Sequence, residues 1–99
     1  MIGVVWEFIV KPEAVQAFQH AYGPDGEWVA LFQRHPGYHG TSLLRDTVIK
    51  GRFLTVDRWE SESLYDQMLR SSRPEYLRLD QKFAALTVSE RKLGAWTED

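Results

Sequence analysis

The stretch that decides the fold lies at the amino terminus and reads Ile2-Gly3-Val4-Val5-Trp6-Glu7-Phe8-Ile9-Val10. Alternate side chains of this stretch share a face, which is the period of a β-strand. One face is entirely apolar, and the other is largely apolar with Glu7 as its one charge. Strands that are apolar on both faces are normally covered on both sides. Residues 2–10 are therefore predicted to form a strand with both faces covered.

The spacing of apolar residues becomes helical after this strand. Pro12 suits the first position of a helix, and Val15, Phe18 and Tyr22 recur at i, i+3 and i+7. The sequence Gly-Pro-Asp-Gly at residues 23–26 breaks this helix. A second helical piece is predicted to follow.

This second piece is expected to begin with Asp25 as its capping residue. It presents Trp28, Leu31 and Phe32 on one face, and it ends at His-Pro-Gly, residues 35–37. The first half of the chain therefore predicts a strand followed by two short helices.

Two strands and a hairpin loop are predicted next, at residues 38–45, 51–59 and 46–51 respectively. Ser61 is expected to cap a further helix, which restarts near Pro74. The apolar stripe of these two pieces consists of Leu64, Tyr65, Met68, Leu69, Tyr76, Leu79, Phe83 and Leu86. Residues 87–90 have the form of a capping box and predict one more helical turn, and residues 93–97 predict a short last strand.

The resulting order predicts an α+β fold, a ferredoxin-like βαββαβ unit with a four-stranded antiparallel sheet and helices on one face. Strand 51–59 resembles strand 2–10 in being apolar on both faces, with Phe53 and Trp59 on one and Leu54 and Val56 on the other. A monomer would expose one such face, which is a larger apolar patch than monomers usually carry. The sequence therefore predicts a homodimer that pairs these faces.

Composition narrows the possible functions. The chain has 99 residues, which predicts a single domain over residues 1–99. A net charge of −2 gives no basic surface for nucleic acid, and no apolar run is long enough to cross a membrane. The amino terminus lacks the features of a signal peptide, and there is no cysteine. A cytoplasmic location is the expectation, and neither a phosphate-binding loop nor a nucleophile elbow is present.

Several motifs resemble those of the antibiotic biosynthesis monooxygenase family across nearly the whole chain. They are Val4-Val5-Trp6-Glu7-Phe8, Lys11-Pro12, Tyr22-Gly23-Pro24-Asp25-Gly26, Pro36-Gly37-Tyr38 and Leu54-Thr55-Val56-Asp57-Arg58-Trp59-Glu60-Ser61. The resemblance implies a dimeric α+β barrel with a pocket between sheet and helices. It also implies a flat aromatic or polyketide-like substrate that reacts with oxygen without flavin, metal or haem. The positions at which haem-degrading relatives carry Asn, Trp and His hold Glu7, Met68 and Arg78, so the resemblance does not extend to haem chemistry.

Three residues are candidates for a general base. His39 is one because imidazole titrates near neutral pH, and no histidine spacing indicates a metal site. Asp57 shares a strand face with aromatic residues, where loss of hydration would raise its pKa, although an ion pair with Arg45 is the structural alternative. Glu7 is the single carboxylate on an apolar strand, where relatives carry a polar pocket residue.

Aromatic side chains are abundant enough to line a pocket for a planar ligand as well as to fill a core. The residues predicted to contact a substrate are Trp6, Tyr22, Trp28, Trp59 and Tyr65. Arg45 or Arg58 is the candidate to hold a substrate anion.

Three functions remain open at this level. The first is a cofactor-independent monooxygenase that acts on a small aromatic, quinol or polyketide-type substrate, or a related isomerase or cyclase that begins with the same proton abstraction. The second is a binding or sensing module that holds a hydrophobic metabolite without turnover. The third is a structural dimer whose aromatic residues fill the core completely. A ligand-sized cavity containing a polar group would favour the first two.

Overall fold

A computed structural model describes residues 1–99. Four strands form one antiparallel sheet in the order β2-β3-β1-β4. Their bounds are Ile2–Val10 for β1, Tyr38–Arg45 for β2, Arg52–Trp59 for β3 and Thr87–Thr97 for β4. The stretch that opens the sequence is thus one of the two central strands. Val4, Phe8 and Val10 are buried on one of its faces, whereas its other face is only half-buried in the single chain.

Four helices connect these strands: α1 at Val15–Tyr22, α2 at Glu27–Phe32, α3 at Glu62–Ser71 and α4 at Arg73–Phe83. Short 3₁₀ turns at Pro12–Ala14 and Ala84–Leu86 precede α1 and follow α4. The chain order is βααββααβ, so each of the two helices of the βαββαβ unit is replaced by a pair of shorter helices. The predicted ferredoxin-like α+β fold is confirmed.

The two faces of the sheet differ in burial. On β3, Phe53, Thr55, Asp57 and Trp59 are buried against the helices, and the residues between them are only half-buried. The main core lies on that side and joins strand residues to apolar residues of all four helices, among them Phe18. Strand alternation, read from the sequence, placed Phe53 and Trp59 together on one face of β3, and the structure shows that the helices cover this face.

Two local predictions were wrong. Gly26 rather than Asp25 caps α2, and no side chain bonds to that helix end. Residues 87–90 are not a helical turn, because β4 begins at Thr87 and runs for 11 residues. Its first half is held by backbone pairing with β1, in which Glu90 lies opposite Phe8. Pairing across the sheet outweighed the local capping signal.

Two predicted motifs have clear structural roles. The Ser61 hydroxyl accepts a hydrogen bond from the Leu64 amide at 3.2 Å and caps α3 as predicted. Gly37 adopts φ +92°, and a Cβ atom there would lie 2.6 Å from a side-chain carbon of Leu64. Only glycine fits this close approach between the start of β2 and α3. Among the helices, none is long and apolar enough to cross a membrane.

Candidate functional site

A cavity of about 450 Å³, counted together with its opening to solvent, lies between the sheet and the helices. Six lining residues come from the strands: Trp6, Phe8, Thr41, Thr55, Asp57 and Glu90. Six come from the helices: Tyr22, Trp28, Val29, Phe32, Tyr76 and Asp80. Half of these residues are aromatic, and carboxyl groups supply all of the charge.

Asp57 is the buried carboxyl group of this cavity. It is only 9% exposed, and strand alternation turns it toward the helices between Thr55 and Trp59. Thr41, opposite Asp57 in the β2–β3 pairing, donates its hydroxyl to Asp57 Oδ1 at 2.6 Å. Tyr38 lies 2.5 Å from the same threonine oxygen. Since the threonine proton goes to Asp57, the Tyr38 hydroxyl donates in its turn to Thr41.

The second oxygen of Asp57 is free to act on a bound molecule. No group of the chain bonds to Oδ2. The buried side-chain polar atoms without a partner are the indole nitrogens of Trp28 and Trp59, so Oδ2 is not sealed off from solvent. Because Asp57 also lines the cavity, the cavity is the route by which a small molecule reaches this oxygen.

The environment of Asp57 changes its acidity. Burial raises the pKa of Asp57 to about 6, against smaller opposing effects of the Thr41 hydrogen bond and the Arg58 charge. A carboxylate with such a pKa is ionised for the most part at neutral pH and is a stronger base than an exposed aspartate. Asp57 therefore combines access, orientation and basicity.

The tyrosines of the cavity remain proton donors. Burial raises the pKa of Tyr22 and of Tyr76, and the negative charges of Asp80 and Glu90 raise both further. Neither phenol can ionise under ordinary conditions, so their hydroxyls offer protons for hydrogen bonds rather than act as bases.

Trp28 contributes its ring to the same wall. Its side chain is 7% exposed, and its ring meets Tyr76 edge-on at 4.8 Å between ring centroids. The Nε1–H group is buried beside the Tyr22 hydroxyl rather than open to the cavity. Trp28 therefore offers a ligand its ring surface and not its N–H group.

The rim of the cavity carries two further carboxyl groups. Asp80 follows Tyr76 by one turn of α4, and Glu90 lies on β4 opposite Phe8. Both side chains are exposed to solvent. Partial burial and the nearby Asp80 carboxylate raise the pKa of Glu90.

Four of the nine residues predicted from the sequence meet at this cavity, namely Trp6, Tyr22, Trp28 and Asp57. Two others belong to the core behind it. Trp59 is fully buried and Tyr65 packs against it at 5.9 Å, and neither lines the cavity. They were predicted to line a pocket because they are aromatic. Their positions on β3 and α3 instead place them in the core, outside the lining of the cavity.

The other three predicted residues lie outside the cavity. His39 is exposed, and its Nε2 is 3.9 Å from a carboxylate oxygen of Glu60. Arg45 is exposed beside the β2–β3 hairpin and forms no ion pair with Asp57. Arg58, the other candidate for holding an anion, donates to the Ser42 hydroxyl at 2.9 Å.

Glu7, the last of the nine predicted residues, lies on the opposite face of the sheet from the cavity. One of its carboxylate oxygens accepts from Arg52 at 2.8 Å, and the other accepts from Arg91 at 3.2 Å. The hydrogen bond from Arg52, the largest cause, lowers the pKa of Glu7. The odd-numbered side of β1 faces away from the helices, because Val4, Phe8 and Val10 are the buried members of that strand.

Sequence patterns did not single out four of the polar residues at the cavity: Thr41, Thr55, Asp80 and Glu90. Thr41 could have been found by strand pairing, because its position faces Asp57 across the hairpin. Glu90 was hidden by the incorrect helical turn at residues 87–90. No group of three or more His, Cys, Asp or Glu side chains is placed to hold a metal ion.

Comparison with known proteins identifies the relatives of the chain. The model of the antibiotic biosynthesis monooxygenase family matches residues 1–79. This match spans β1 to most of α4 and therefore includes Asp57, Thr41 and the aromatic wall, but not Glu90 on β4. No curated protein matches the chain.

Three solved structures have the same fold. SnoaB, a cofactor-independent oxygenase from Streptomyces nogalater, superposes with a TM-score of 0.72 at 21% identity, covering 99% of this chain and 92% of its own. A protein from Methanosarcina mazei Go1 gives 0.73 at 18% identity, covering 99% and 92%. PA3566 from Pseudomonas aeruginosa gives 0.69 at 13% identity, covering 99% and 93%. At these identities the likeness establishes the fold and leaves the chemistry to be argued from the site.

Proposed function

Because the chain belongs to the antibiotic biosynthesis monooxygenase family, we propose that it is a cofactor-independent monooxygenase acting on a small aromatic, quinol or polyketide-type molecule. One observation carries the proposal: a buried carboxylate, Asp57, opens with one oxygen onto an aromatic cavity and has its pKa raised to about 6. A base of this strength, buried beside aromatic side chains, suits the removal of a proton from a phenol or an activated C–H bond.

The first step assigned to the chain is proton abstraction. Asp57 Oδ2 takes a proton from the ring-activated carbon or hydroxyl of the substrate, while Thr41 holds Oδ1 in place. The substrate anion that forms needs donors, since the arginines expected for this task lie elsewhere. The hydroxyls of Tyr22 and Tyr76 are the neutral donors on this wall.

The oxygen chemistry then balances without an added reductant. For a ring CH₂ group, the carbanion gives one electron to O₂, and the resulting carbon radical and superoxide combine to form a C–O bond. The peroxide anion takes back the proton held by Asp57 and becomes a hydroperoxide. Loss of the second C–H proton cleaves the O–O bond, so the products are one ketone and one water, and the four electrons all come from the substrate.

Oxygen consumption tests the proposal directly. A thermal-shift screen of flat phenols, quinols and polyketide-like compounds selects ligands that bind the folded protein. Each ligand is then incubated with protein under isotopically labelled oxygen, with an oxygen electrode recording uptake. We expect uptake with one labelled atom in the product. Ligands that raise the unfolding midpoint yet never cause uptake would refute the enzymatic assignment.

A non-catalytic binding module is the second candidate function. Its support is the charge of the cavity, because Asp80 and Glu90 raise the pKa of neighbouring phenols and would oppose ionisation of a bound one. The same oxygen-uptake experiment separates the two candidates. Binding without uptake favours the module, and uptake favours the enzyme.

We further propose that the chain forms a homodimer through the open face of the sheet. Val5, Leu54 and Val56 are only half-buried there, next to the 49% exposed Leu44. Pairing with a second copy would cover this apolar surface. Light scattering at micromolar concentration should give the mass of a dimer, and Leu54→Glu should give that of a monomer. A wild-type monomer would refute the proposal.

A further inference from the structure

The cavity has an unbalanced negative charge. Its twelve lining residues include Asp57, Asp80 and Glu90 but no lysine, arginine or histidine. All three carboxyl groups act on the Tyr76 hydroxyl and raise its pKa, after burial as the largest cause. Because all three carboxyl groups line one cavity, their charges lie around the same space rather than on separate surfaces.

Three cations on the strands and helices around this space have other partners. Lys82, on α4, bonds to Glu27, and Lys92, on β4, places its Nζ over the ring of Tyr65 at 5.2 Å. Arg58, whose charge does reach Asp57, donates to Ser42. A ligand therefore meets carboxylates that no side chain of the cavity neutralises.

The aromatic walls also favour a ligand with a positive charge. Trp6, Tyr22, Trp28 and Tyr76 surround the space with ring surfaces, and the faces of such rings attract cations. Aromatic rings combined with carboxylates are the usual surroundings of a bound ammonium group. An anionic ligand would instead face three like charges at close range.

A second observation points to a ligand at this cavity. Asp57 is only 9% exposed and lines the cavity, and no group of the chain donates a hydrogen bond to its Oδ2 oxygen. A ligand that carries a proton donor satisfies this buried oxygen, which the protein itself leaves without a partner.

We propose that the cavity selects aromatic molecules that carry a positively charged amino group, with the ring among the aromatic walls and the ammonium between Asp80 and Glu90. This inference rests on the proposed function and deepens it by giving the charge class of its substrate, and it concerns the same cavity. Asp80 and Glu90 determine specificity, whereas Asp57 remains the base. Negatively charged aromatic molecules of the same size are excluded.

Three probes with one ring system test the charge selection: 2-naphthylmethylamine, 2-naphthylmethanol and 2-naphthoate. Their dissociation constants for the full chain are measured by titration calorimetry near neutral pH and low salt. We expect the amine to bind about three- to tenfold more tightly than the alcohol, from one cation–π contact and a solvent-exposed ion pair. The carboxylate should bind more weakly than the alcohol.

Carboxyl variants assign the selection to the rim. In Asp80→Asn and Glu90→Gln the preference for the amine should shrink, and in the double variant the amine and the alcohol should bind alike. Glu13→Gln removes the same charge from an exposed turn outside the cavity and should keep the wild-type preference. Raising the salt from about 20 to about 500 mM should also reduce the preference for the amine. The rim carboxylates are exposed, and at the higher salt their attraction for a cation is screened within a few ångströms.

Failure of this inference can be told apart from failure of the proposed function. Tightest binding of the carboxylate, equal binding of all three probes, or no binding of the amine would each overturn the charge selection. Oxygen uptake with a neutral or anionic quinol would leave the monooxygenase proposal standing in that case. Conversely, a selective amine site in a protein that consumes no oxygen with any ligand would keep the charge selection and reject the monooxygenase.

Discussion

Two carboxylates on opposite faces of the same sheet show how surroundings decide what a carboxylate can do. Asp57 on the covered face has a neutral hydroxyl as its hydrogen-bond partner, and burial raises its pKa to about 6. Glu7 on the open face accepts from two arginines, and these bonds lower its pKa. The two residues lie on adjacent strands, yet only Asp57 is placed to take a proton from a ligand.

Turnover should separate the two carboxylates most strongly. We expect Asp57→Asn to lower the rate of oxygen uptake by about a hundredfold or more, the usual contribution of a general base. Glu7→Gln and His39→Ala should leave the rate within about twofold, because neither residue touches the cavity. The measurement is initial oxygen uptake with a ligand found by thermal-shift screening.

The Asp57→Asn variant carries its own check on folding. The side-chain amide oxygen that this substitution introduces can still accept from Thr41, so the variant should unfold at or above the wild-type midpoint. A folded Asp57→Asn protein with full activity would transfer the role of base to another group. A large loss in Glu7→Gln would reverse the comparison between the two faces.

Stability against pH should change in opposite directions for the two residues. The folded-state pKa of Asp57 is raised, so the folded protein holds this proton while the unfolded chain has lost it. Its contribution to stability is fully present below about pH 4 and is lost as pH rises to about 6, a change of about 2–3 kcal/mol for a shift of this size. Asp57→Asn should therefore gain stability relative to wild type between these pH values.

Glu7 gives the reverse sign. Its folded-state pKa is lowered, so its contribution is present above the ordinary pKa of a glutamate and is lost as pH falls through the lowered value. Glu7→Gln should be less stable than wild type near neutral pH and equal to it in strong acid. Urea unfolding of both variants at a series of pH values measures both effects. If the stability of both variants relative to wild type changed with pH in the same direction, burial of Asp57 and ion pairing of Glu7 would not have the opposite effects expected here.

The hydrogen bond from Thr41 should tune the base. Thr41→Val removes the hydroxyl that lowers the pKa of Asp57, so the midpoint of the pH–rate profile should rise by about one unit, which is typical of one hydrogen bond to a charged group. Thr41→Ser keeps the hydroxyl and should restore the wild-type profile. Tyr38→Phe removes only the outer member of the chain of hydrogen bonds and should shift the midpoint less.

A purely structural role for Thr41 predicts a different result. In that case Thr41→Val would lower the rate equally at all pH values, with an unchanged midpoint. The position of the midpoint, rather than the rate itself, therefore decides whether Thr41 positions and tunes Asp57.

The sequence revealed the fold because its signals were repeated across the chain. The alternation in residues 2–10 and 52–59, a serine cap and helical stripes all pointed to one arrangement. Strand alternation also grouped Asp57 with Phe53, Thr55 and Trp59 on one face of β3, without indicating that the helices cover that face. What it could not supply was the phase between strands, which places Glu7 on the other side of the sheet from Asp57 although both lie on central strands.

The rest of the site depended on long-range pairing. Glu90 reaches the cavity through its pairing with Phe8, about eighty residues earlier, and no local pattern encodes this contact. His39 and Arg45 were chosen for chemistry alone, and their exposure follows from packing that a residue type does not determine. Trp59, a core residue, was equally ambiguous, because an aromatic side chain suits a core and a pocket wall alike.

The smallest expected effect lies within the open-face network and tests whether its two arginines are equivalent. Arg52 contacts Glu7 at 2.7 Å and Asp46 at 3.0 Å and is 37% exposed, whereas Arg91 contacts Glu7 alone at 3.2 Å and is 69% exposed. Exposed pairs contribute little, and a single weak contact contributes least. Arg52→Ala should therefore lower the unfolding midpoint more than Arg91→Ala, and high salt should reduce the difference. Equal losses would mean that the two arginines stabilise Glu7 alike. The lowered pKa of Glu7 would then result from the total positive charge nearby rather than from the short bonds with Arg52.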